Sequence, residues 1–151
     1  MHLLIKNAHV VGPEPFDGDL LTTDGMISAL GHNLAAPAKT TVIDLKGATL
    51  MPVLVDVHVH FREPGFEAKE TIKTGAKAAA HGGFTTVVAM PNLNPVPDNV
   101  EDLETLIEKN HQDAKIHVYQ FAAITAGLHS QKQTDYAGLR AAGALGFSND
   151  G

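Results

Sequence analysis

Two histidines, His58 and His60, stand two positions apart at the end of an apolar run. In a strand, side chains at i and i+2 point to the same face, so the two imidazoles would lie side by side as half of a metal site. Arg62 continues the same alternation and adds a fixed positive charge just beyond the pair. The Pro64-Gly65 step then ends the strand. A metal pair beside a guanidinium predicts hydrolytic chemistry on an anionic substrate.

Each of these side chains also has an ordinary structural explanation. Histidine is a common half-buried strand residue, so a His-x-His pair alone does not establish a metal site. Arg62 could form a surface salt bridge with Glu63 or Glu67. The two glutamates resemble a pair of catalytic acids, but we expect them to face solvent or to brace the turn.

The composition excludes several classes of protein. A chain of 151 residues is long enough for one domain with a core. A net charge of -6 without a basic run argues against a nucleic-acid partner, and no apolar run reaches the roughly 18 residues of a membrane span. The N-terminus shows no secretory signal, so we expect a cytoplasmic protein. Because there is no cysteine, any metal is left to histidine and carboxylate.

The first fifty residues, which precede these candidates, are typical of β structure. Asp24-Gly25 is a strong hairpin signal between two apolar runs. We predict strands at residues 3–11, 20–23, 26–30 and 41–45. The histidines of this part, His2, His9 and His32, are expected to be ordinary strand and loop residues.

From residue 50 onward, predicted strands alternate with predicted helices. Helices are predicted at residues 67–81, after a cap at Asp98, and after Thr134 or Asp135. The strands are predicted at residues 50–60, 84–90, 115–121 and 144–148. The order β-α-β-α-β-α-β is that of a parallel sheet. On length alone, four such strands could form an open sheet.

Two further polar residues follow the ends of these strands. Asn92 comes just after the second strand, and Asp150 follows the fourth. In βα barrels the chemistry sits at the C-terminal ends of the strands, so a barrel would bring both side chains to the rim that carries His58 and His60. Asn92 could also be a plain turn residue after Pro91, and Asp150 could belong to an ordinary Asp-Gly turn.

The string at residues 55–65, VDVHVHFREPG, resembles the signature of the cyclic amidohydrolases and, among them, of the bacterial dihydroorotases. The resemblance runs over the chain and includes GGFTTV at 82–87 and MPN at 90–92. Allantoinases usually carry Asn in place of the Arg, and hydantoinases lack the Arg-Glu-Pro-Gly turn. The resemblance implies an α/β chain. A small β-rich domain at residues 1–49 precedes the first four βα strands of a (β/α)8 TIM-type barrel at residues 50–151, whose second half is missing.

The activity that this resemblance implies is that of a dihydroorotase. Such an enzyme catalyses the reversible, zinc-dependent cyclisation of N-carbamoyl-L-aspartate to L-dihydroorotate in pyrimidine biosynthesis. The resemblance implies two zinc ions per complete active site. The implied metal ligands are His58, His60 and Asp150. The implied substrate-binding residues are His60, Arg62 and Asn92.

Family members differ in the metal ligand near residue 150. One bacterial type uses an aspartate before glycine to bridge two zinc ions, whereas other members use a carboxylated lysine near this point. No lysine lies in residues 141–151, which favours Asp150. Asn149 is a weaker candidate, because a neutral amide is a poor bridge between two cations.

The remaining ligands of the family lie in the second half of the barrel. That half supplies two more histidines and the catalytic aspartate, so we expect this chain alone to be inactive. The expected partners are the small-molecule substrate, the missing C-terminal half, and a further copy of the chain or aspartate transcarbamoylase. No nucleic acid and no membrane is expected. Two alternatives stay open: a non-catalytic dihydroorotase-like scaffold chain, and a hydantoinase-type cyclic amide hydrolase.

Overall fold

The computed structural model describes residues 1–150, and the chain divides into two compact units. The first unit is Met1–Pro52, and the second begins at Val53. The division into two domains, residues 1–49 and 50–151, stays a prediction.

The first unit is a five-stranded sheet of mixed direction. Its strands are β1 (His2–Val10), β2 (Phe16–Thr23), β3 (Met26–Gly31), β4 (Thr40–Asp44) and β5 (Thr49–Leu50). The order is β3-β2-β1-β4, and β5 also pairs with β1. Neighbours β1, β2 and β3 are antiparallel, whereas β4 and β5 run parallel to β1. The predicted hairpin is confirmed: β2 and β3 are joined at Asp24 and Gly25, whose φ angles of +51° and +81° suit a tight hairpin turn.

The second unit is a four-stranded parallel sheet whose strands are joined through helices. Its strands are β6 (Leu54–Val59), β7 (Phe84–Ala89), β8 (His117–Ala123) and β9 (Gly146–Ser148), in the order β6-β7-β8-β9. The helices are α1 (Ile72–His81), α2 (Val100–Asp113) and α3 (Tyr136–Ala141), and a 3-10 turn lies at Ala126–Leu128. Each strand pairs with the next along the chain, so the predicted fold class is confirmed. This unit is the first half of a (β/α)8 barrel.

Helix α1 begins at Ile72, five residues later than the predicted start at residue 67. Thr71 is the cap, because its hydroxyl accepts from the amide of Thr74 (3.1 Å), and the hydroxyl of Thr74 accepts from the amide of Thr71 (3.2 Å). The preceding residues form turns instead, with the amide of Phe66 bonded to the carbonyl of Arg62 (2.9 Å). This reciprocal cap between two threonines fixes the start of the helix at Ile72.

The predicted cap of helix α2 is also corrected. Asn99 is the cap, and its side chain accepts from the amide of Asp102 (3.0 Å). Asp98 accepts instead from the amide of Gly127 (2.7 Å), in the segment after β8. Either residue type can cap a helix, so the choice depends on this bond to a segment distant in sequence.

The core of the second unit lies between the sheet and its helices. Two apolar clusters hold α1, α2 and α3 against the strands. The buried members are Phe61, Ile72, Ala76, Val87, Ala89, Leu93, Leu106, Ala114 and Val118 in the first cluster, and Leu103, Ala122, Leu139 and Ala144 in the second. Elsewhere large apolar side chains remain open to solvent, including Val57 of β6, which is 63% exposed. No helix in residues 1–150 combines the length and apolarity of a membrane crossing.

Candidate metal centre

Strand β6 brings the two histidines of the sequence motif together. The strand is rich in valine, which favours extended backbone, and the carboxylate of Asp56 accepts from the amide of His58 (3.0 Å) near its end. The rings of His58 and His60 lie side by side, with centroids 5.1 Å apart and planes at 69°. Two imidazole nitrogens are therefore available at the C-terminal end of the first barrel strand.

Asp150 approaches this pair from the opposite edge of the sheet. It follows β9, and one carboxylate oxygen (Oδ1) lies 3.7 Å from Nε2 of both His58 and His60. The three possible ligand atoms lie within 4.8 Å of one another. Donor atoms around a tetrahedral zinc ion are roughly 3.3 Å apart. The two His-Asp separations are therefore close to what one shared ion requires, and the donor set fits a divalent metal.

Asn92 links two members of this group. Its amide nitrogen donates to Oδ2 of Asp150, and its amide oxygen lies 3.0 Å from Nδ1 of His60. A carboxylate can only accept, so the nitrogen of Asn92 must face Asp150 and the oxygen must face His60. Nδ1 of His60 is then the donor, which leaves the lone pair on Nε2. This is the tautomer that binds a metal through Nε2.

The turn that carries Asn92 is supported by a residue that the sequence did not single out. Gln120 of β8 is almost fully buried, and its amide nitrogen donates to the carbonyls of Ala89 (3.0 Å) and Met90 (3.3 Å). Its amide oxygen accepts from the side chain of Asn110 (3.4 Å). A glutamine inside an apolar strand gives no sequence signal of this role. Its function is visible only once β7 and β8 are adjacent.

Hydrogen bonds also join the four segments that follow the strands, which we call the rim loops (residues 60–71, 90–99, 124–135 and 149–150). Each rim loop is bonded to the next. The bonds run from the amide of Asn94 to the carbonyl of Pro64 (3.1 Å), from the amide of Gly127 to Asp98 (2.7 Å), and from the amide of Thr125 to Asn149 (3.1 Å). The site residues therefore stand on a connected frame. Asn149, the weaker ligand candidate, is occupied in this frame and does not face the histidines.

Arg62 departs from the expected alternation. Strand β6 ends at Val59, and Arg62 has a φ of +62°, so the prediction that it continues the face of the two histidines is wrong. The alternative of a salt bridge is not observed in residues 1–150 either. Glu63 pairs with Lys109 (3.0 Å), and Glu67 accepts from the amide of Gly65 (2.8 Å). That amide holds the pKa of Glu67 below its usual range.

The histidines and Asp150 line an open cleft of about 620 Å³. Its walls are half polar and half apolar, and they come from all four barrel strands or the residues just after them. The lining residues are Val57, His58, His60, Met90, Phe121, Phe147, Ser148 and Asp150. The cleft therefore combines a polar, metal-competent edge with an apolar floor.

Comparison with known proteins identifies the family of this chain. The sequence model of a family described as dihydro-orotase-like matches residues 47–151. The chain belongs to this family. The family comprises metal-dependent amidohydrolases, and the cluster of His58, His60 and Asp150 is the candidate metal site of this member.

Curated relatives of this dihydro-orotase-like chain are named dihydroorotase. The chain is 47% identical to that of Ligilactobacillus salivarius and 50% identical to that of Lactiplantibacillus plantarum, in both cases over its whole length. It spans 36% of each of those proteins, so it corresponds to about a third of a complete relative.

Solved structures of hydantoinases share the fold. L-hydantoinase from Arthrobacter aurescens superposes with a TM-score of 0.84 at 24% identity, over 96% of this chain and 32% of that one. D-hydantoinase from a Thermus species gives 0.69 at 32% identity, over 82% of this chain and 28% of that one. The first likeness concerns the fold alone.

Proposed function

We propose that this chain is the N-terminal part of a dihydroorotase, which reversibly cyclises N-carbamoyl-L-aspartate to L-dihydroorotate in pyrimidine biosynthesis. One observation carries the proposal. The carboxylate of Asp150 lies 3.7 Å from a ring nitrogen of each motif histidine, in a chain 47% identical to a protein named dihydroorotase. A His-His-Asp cluster at the C-terminal ends of barrel strands suits metal-assisted hydrolysis of a ring amide.

The metal we propose is zinc, with two ions in the complete active site. His58, His60 and Asp150 are the ligands from this chain, and the bond from Asn92 presents Nε2 of His60 to the ion. Bound zinc would supply Lewis acidity, which polarises a carbonyl and lowers the pKa of water. Histidine and carboxylate are the ligand types that a chain without cysteine can offer such an ion.

Substrate binding is assigned to His60, Arg62 and Asn92. The substrate carries a carboxylate, which the two-pronged guanidinium of Arg62 can hold bidentately. Asn92 donates one amide hydrogen to Asp150 and has a second hydrogen to offer the substrate carboxylate. Holding the carboxylate fixes the position of the reacting amide relative to the metal ligands.

The rest of the active site is assigned to chain beyond these residues. By resemblance to the family, the second half of the barrel provides two further histidines and the catalytic aspartate. The chain alone is therefore inactive. We further propose that the complete enzyme is cytoplasmic and that it associates with further copies of itself or with aspartate transcarbamoylase.

A second candidate, hydantoinase-type hydrolysis, is favoured by the fold shared with hydantoinases of known structure. The Arg-Glu-Pro-Gly turn at residues 62–65 and the names of the curated relatives weigh against it. A non-catalytic scaffold is a third candidate. The complete His-His-Asp cluster weighs against it, because an inactive chain has no need of three converging ligands.

The test is a fusion of this chain to the part of the Ligilactobacillus salivarius dihydroorotase that follows the aligned region. The zinc-loaded fusion should interconvert N-carbamoyl-L-aspartate and dihydroorotate, while either part alone should not. Hydrolysis of a hydantoin without turnover of dihydroorotate would favour the second candidate. A folded, zinc-loaded fusion without either activity would favour the scaffold.

A further inference from the structure

The loop that carries Arg62 is held in an uncommon backbone conformation. Arg62 has a φ of +62°, in the left-handed region that residues other than glycine rarely adopt. Such a conformation costs free energy and persists only where the surrounding structure enforces it. The two neighbours of Arg62 in the chain show how it is enforced.

On the N-terminal side, Phe61 is fixed beneath helix α1. The side chain of Phe61 is buried, and its ring packs against Gly75. A Cβ atom at Gly75 would come within 2.5 Å of the ring, so only glycine leaves the space that Phe61 fills. This contact sets the position of the backbone just before Arg62.

On the C-terminal side, Glu63 is tied to two helices at once. One carboxylate oxygen accepts from the amide of Ile72 at the start of α1 (2.8 Å), and the other lies 3.0 Å from Nζ of Lys109 on α2. The side chain of Glu63 is only 14% exposed. Lys109 also bonds Asp113 (2.9 Å). The hydrogen bond to Asp113 and, to a smaller extent, that to Glu63 hold the pKa of Lys109 above its usual range. The lysine therefore stays charged opposite Glu63.

We propose that Glu63 is a positioning residue for Arg62, with Lys109 as its counter-ion. The carboxylate fixes the backbone after Arg62 while Phe61 fixes it before, and the residue between them is held left-handed. The inference rests on the proposed role of Arg62 in binding the substrate carboxylate. It adds that affinity for that carboxylate depends on an ion pair whose groups do not belong to the metal cluster.

The first experiment measures backbone order in the chain itself and needs no activity. Lys109→Met removes the counter-ion and leaves residues 60–75 unchanged in sequence. Hydrogen exchange followed by mass spectrometry should show faster exchange in peptides covering residues 61–72. Lys77→Met is the matched control, because Lys77 on α1 forms no ion pair in residues 1–150. Unchanged exchange in Lys109→Met would overturn the proposal.

The second experiment measures kinetics in the fusion described above. Lys109→Met and Glu63→Gln should each raise KM for dihydroorotate by about tenfold, below the roughly 100-fold that a 1 Å misplacement can cost. The kcat and the zinc content should change little. Lys109→Arg, which keeps the positive charge, should have a KM close to that of the wild type. Equal losses of kcat and zinc would point to general disruption and overturn the proposal, as would an unchanged KM. An inactive wild-type fusion would refute the proposed function, while the exchange result would still decide whether the ion pair orders the loop.

Discussion

The two units of the chain each contain a cleft lined by histidines and carboxylates, and the clefts are similar in size. The cleft of the first unit measures about 550 Å³ and that of the second about 620 Å³. In the first, Asp19 accepts from the backbone amides of Asn7 and Leu34, both at 3.0 Å. His9 pairs with Asp17 at 2.7 Å. The two carboxylates are thus bonded to different partners and do not converge on one point.

The cleft of the second unit is arranged differently. There, two imidazoles face one carboxylate, and within residues 1–150 no backbone amide bonds the oxygen of Asp150 that faces them. In residues 1–150, these are the only three side chains whose donor atoms converge as a metal would require. The comparison shows that histidine and carboxylate content does not make a site. What distinguishes the candidate site is that ligand atoms carried by two different strands converge and are not taken up by backbone hydrogen bonds.

The strongest test of this contrast removes the histidines from each cleft in turn. In the fusion, the double variant His58→Ala, His60→Ala should lose most of its zinc, and its affinity should fall by more than the roughly 10–100-fold cost of losing an outer-shell partner. The matched double variant His9→Ala, His32→Ala, which removes the two histidines that line the first cleft, should keep its zinc. Elemental analysis of the purified proteins measures both. Unchanged zinc in the first variant would refute the metal assignment.

A second test asks whether Arg62 recognises an anion by geometry as well as by charge. Arg62→Lys keeps the charge but loses the planar, two-pronged donor, so kcat/KM for dihydroorotate should fall roughly 10–100-fold with zinc content intact. Arg140→Lys is the control, because Arg140 donates only to backbone carbonyls in residues 1–150. Near-normal kinetics in Arg62→Lys would exclude Arg62 from substrate binding.

A third test addresses the amide that joins His60 to Asp150. Asn92→Leu removes both hydrogen bonds at similar volume, and we expect zinc affinity to fall about 10-fold, within the range for outer-shell partners. Asn99→Ala removes a helix cap and should cost stability without affecting zinc. Zinc titration separates the two outcomes. If Asn92→Leu raises KM but leaves zinc affinity unchanged, Asn92 binds substrate only.

The smallest effect is expected in the first unit. The amide of Asn7, followed by that of Leu34, holds the pKa of Asp19 below its usual range. The folded pKa is therefore below the unfolded value of about 3.9, so the contribution of Asp19 to stability is present above that value and is lost as the pH falls through the folded pKa.

Asp19→Asn should therefore lower the melting temperature by a few degrees at pH 7 and remove this part of the acid sensitivity, with zinc content unchanged. Thermal unfolding at a series of pH values between about 2 and 7 measures the melting temperature and its dependence on pH. Asp17→Asn, whose carboxylate bonds only the exposed His9 in residues 1–150, is the control. Equal melting curves for the two variants would show that the backbone bonds of Asp19 do not stabilise this unit.

Several features could be predicted from the sequence because their causes are local. The hairpin at Asp24-Gly25 depends on two adjacent residues that tolerate positive φ. The alternation of strands and helices in the second unit follows from the period of its apolar residues. The pairing of His58 with His60 needs only an extended backbone between them.

Other features could not be predicted because distant segments decide them. The backbone of Arg62 leaves the strand alternation because Phe61 and Glu63 are anchored to helices that lie further along the sequence. The cap of α2 is Asn99 because the amide of Gly127 engages Asp98. In both cases a local pattern allowed two outcomes, and a tertiary hydrogen bond selected one.

The connected rim loops have a consequence for the order in which a complete relative is synthesised. Every bond of that frame lies within residues 60–150, and β7, β8 and β9 each pair with the preceding strand. If these residues are the N-terminal part of a complete enzyme, as proposed, a ribosome would release them first and would need on the order of tens of seconds for the remaining two thirds, at about 5–20 residues per second. During that interval the metal ligands could already be assembled, while the apolar side chains of β6 would still await their neighbours. We therefore expect the three side chains of the candidate metal site to be in place before translation of such an enzyme ends.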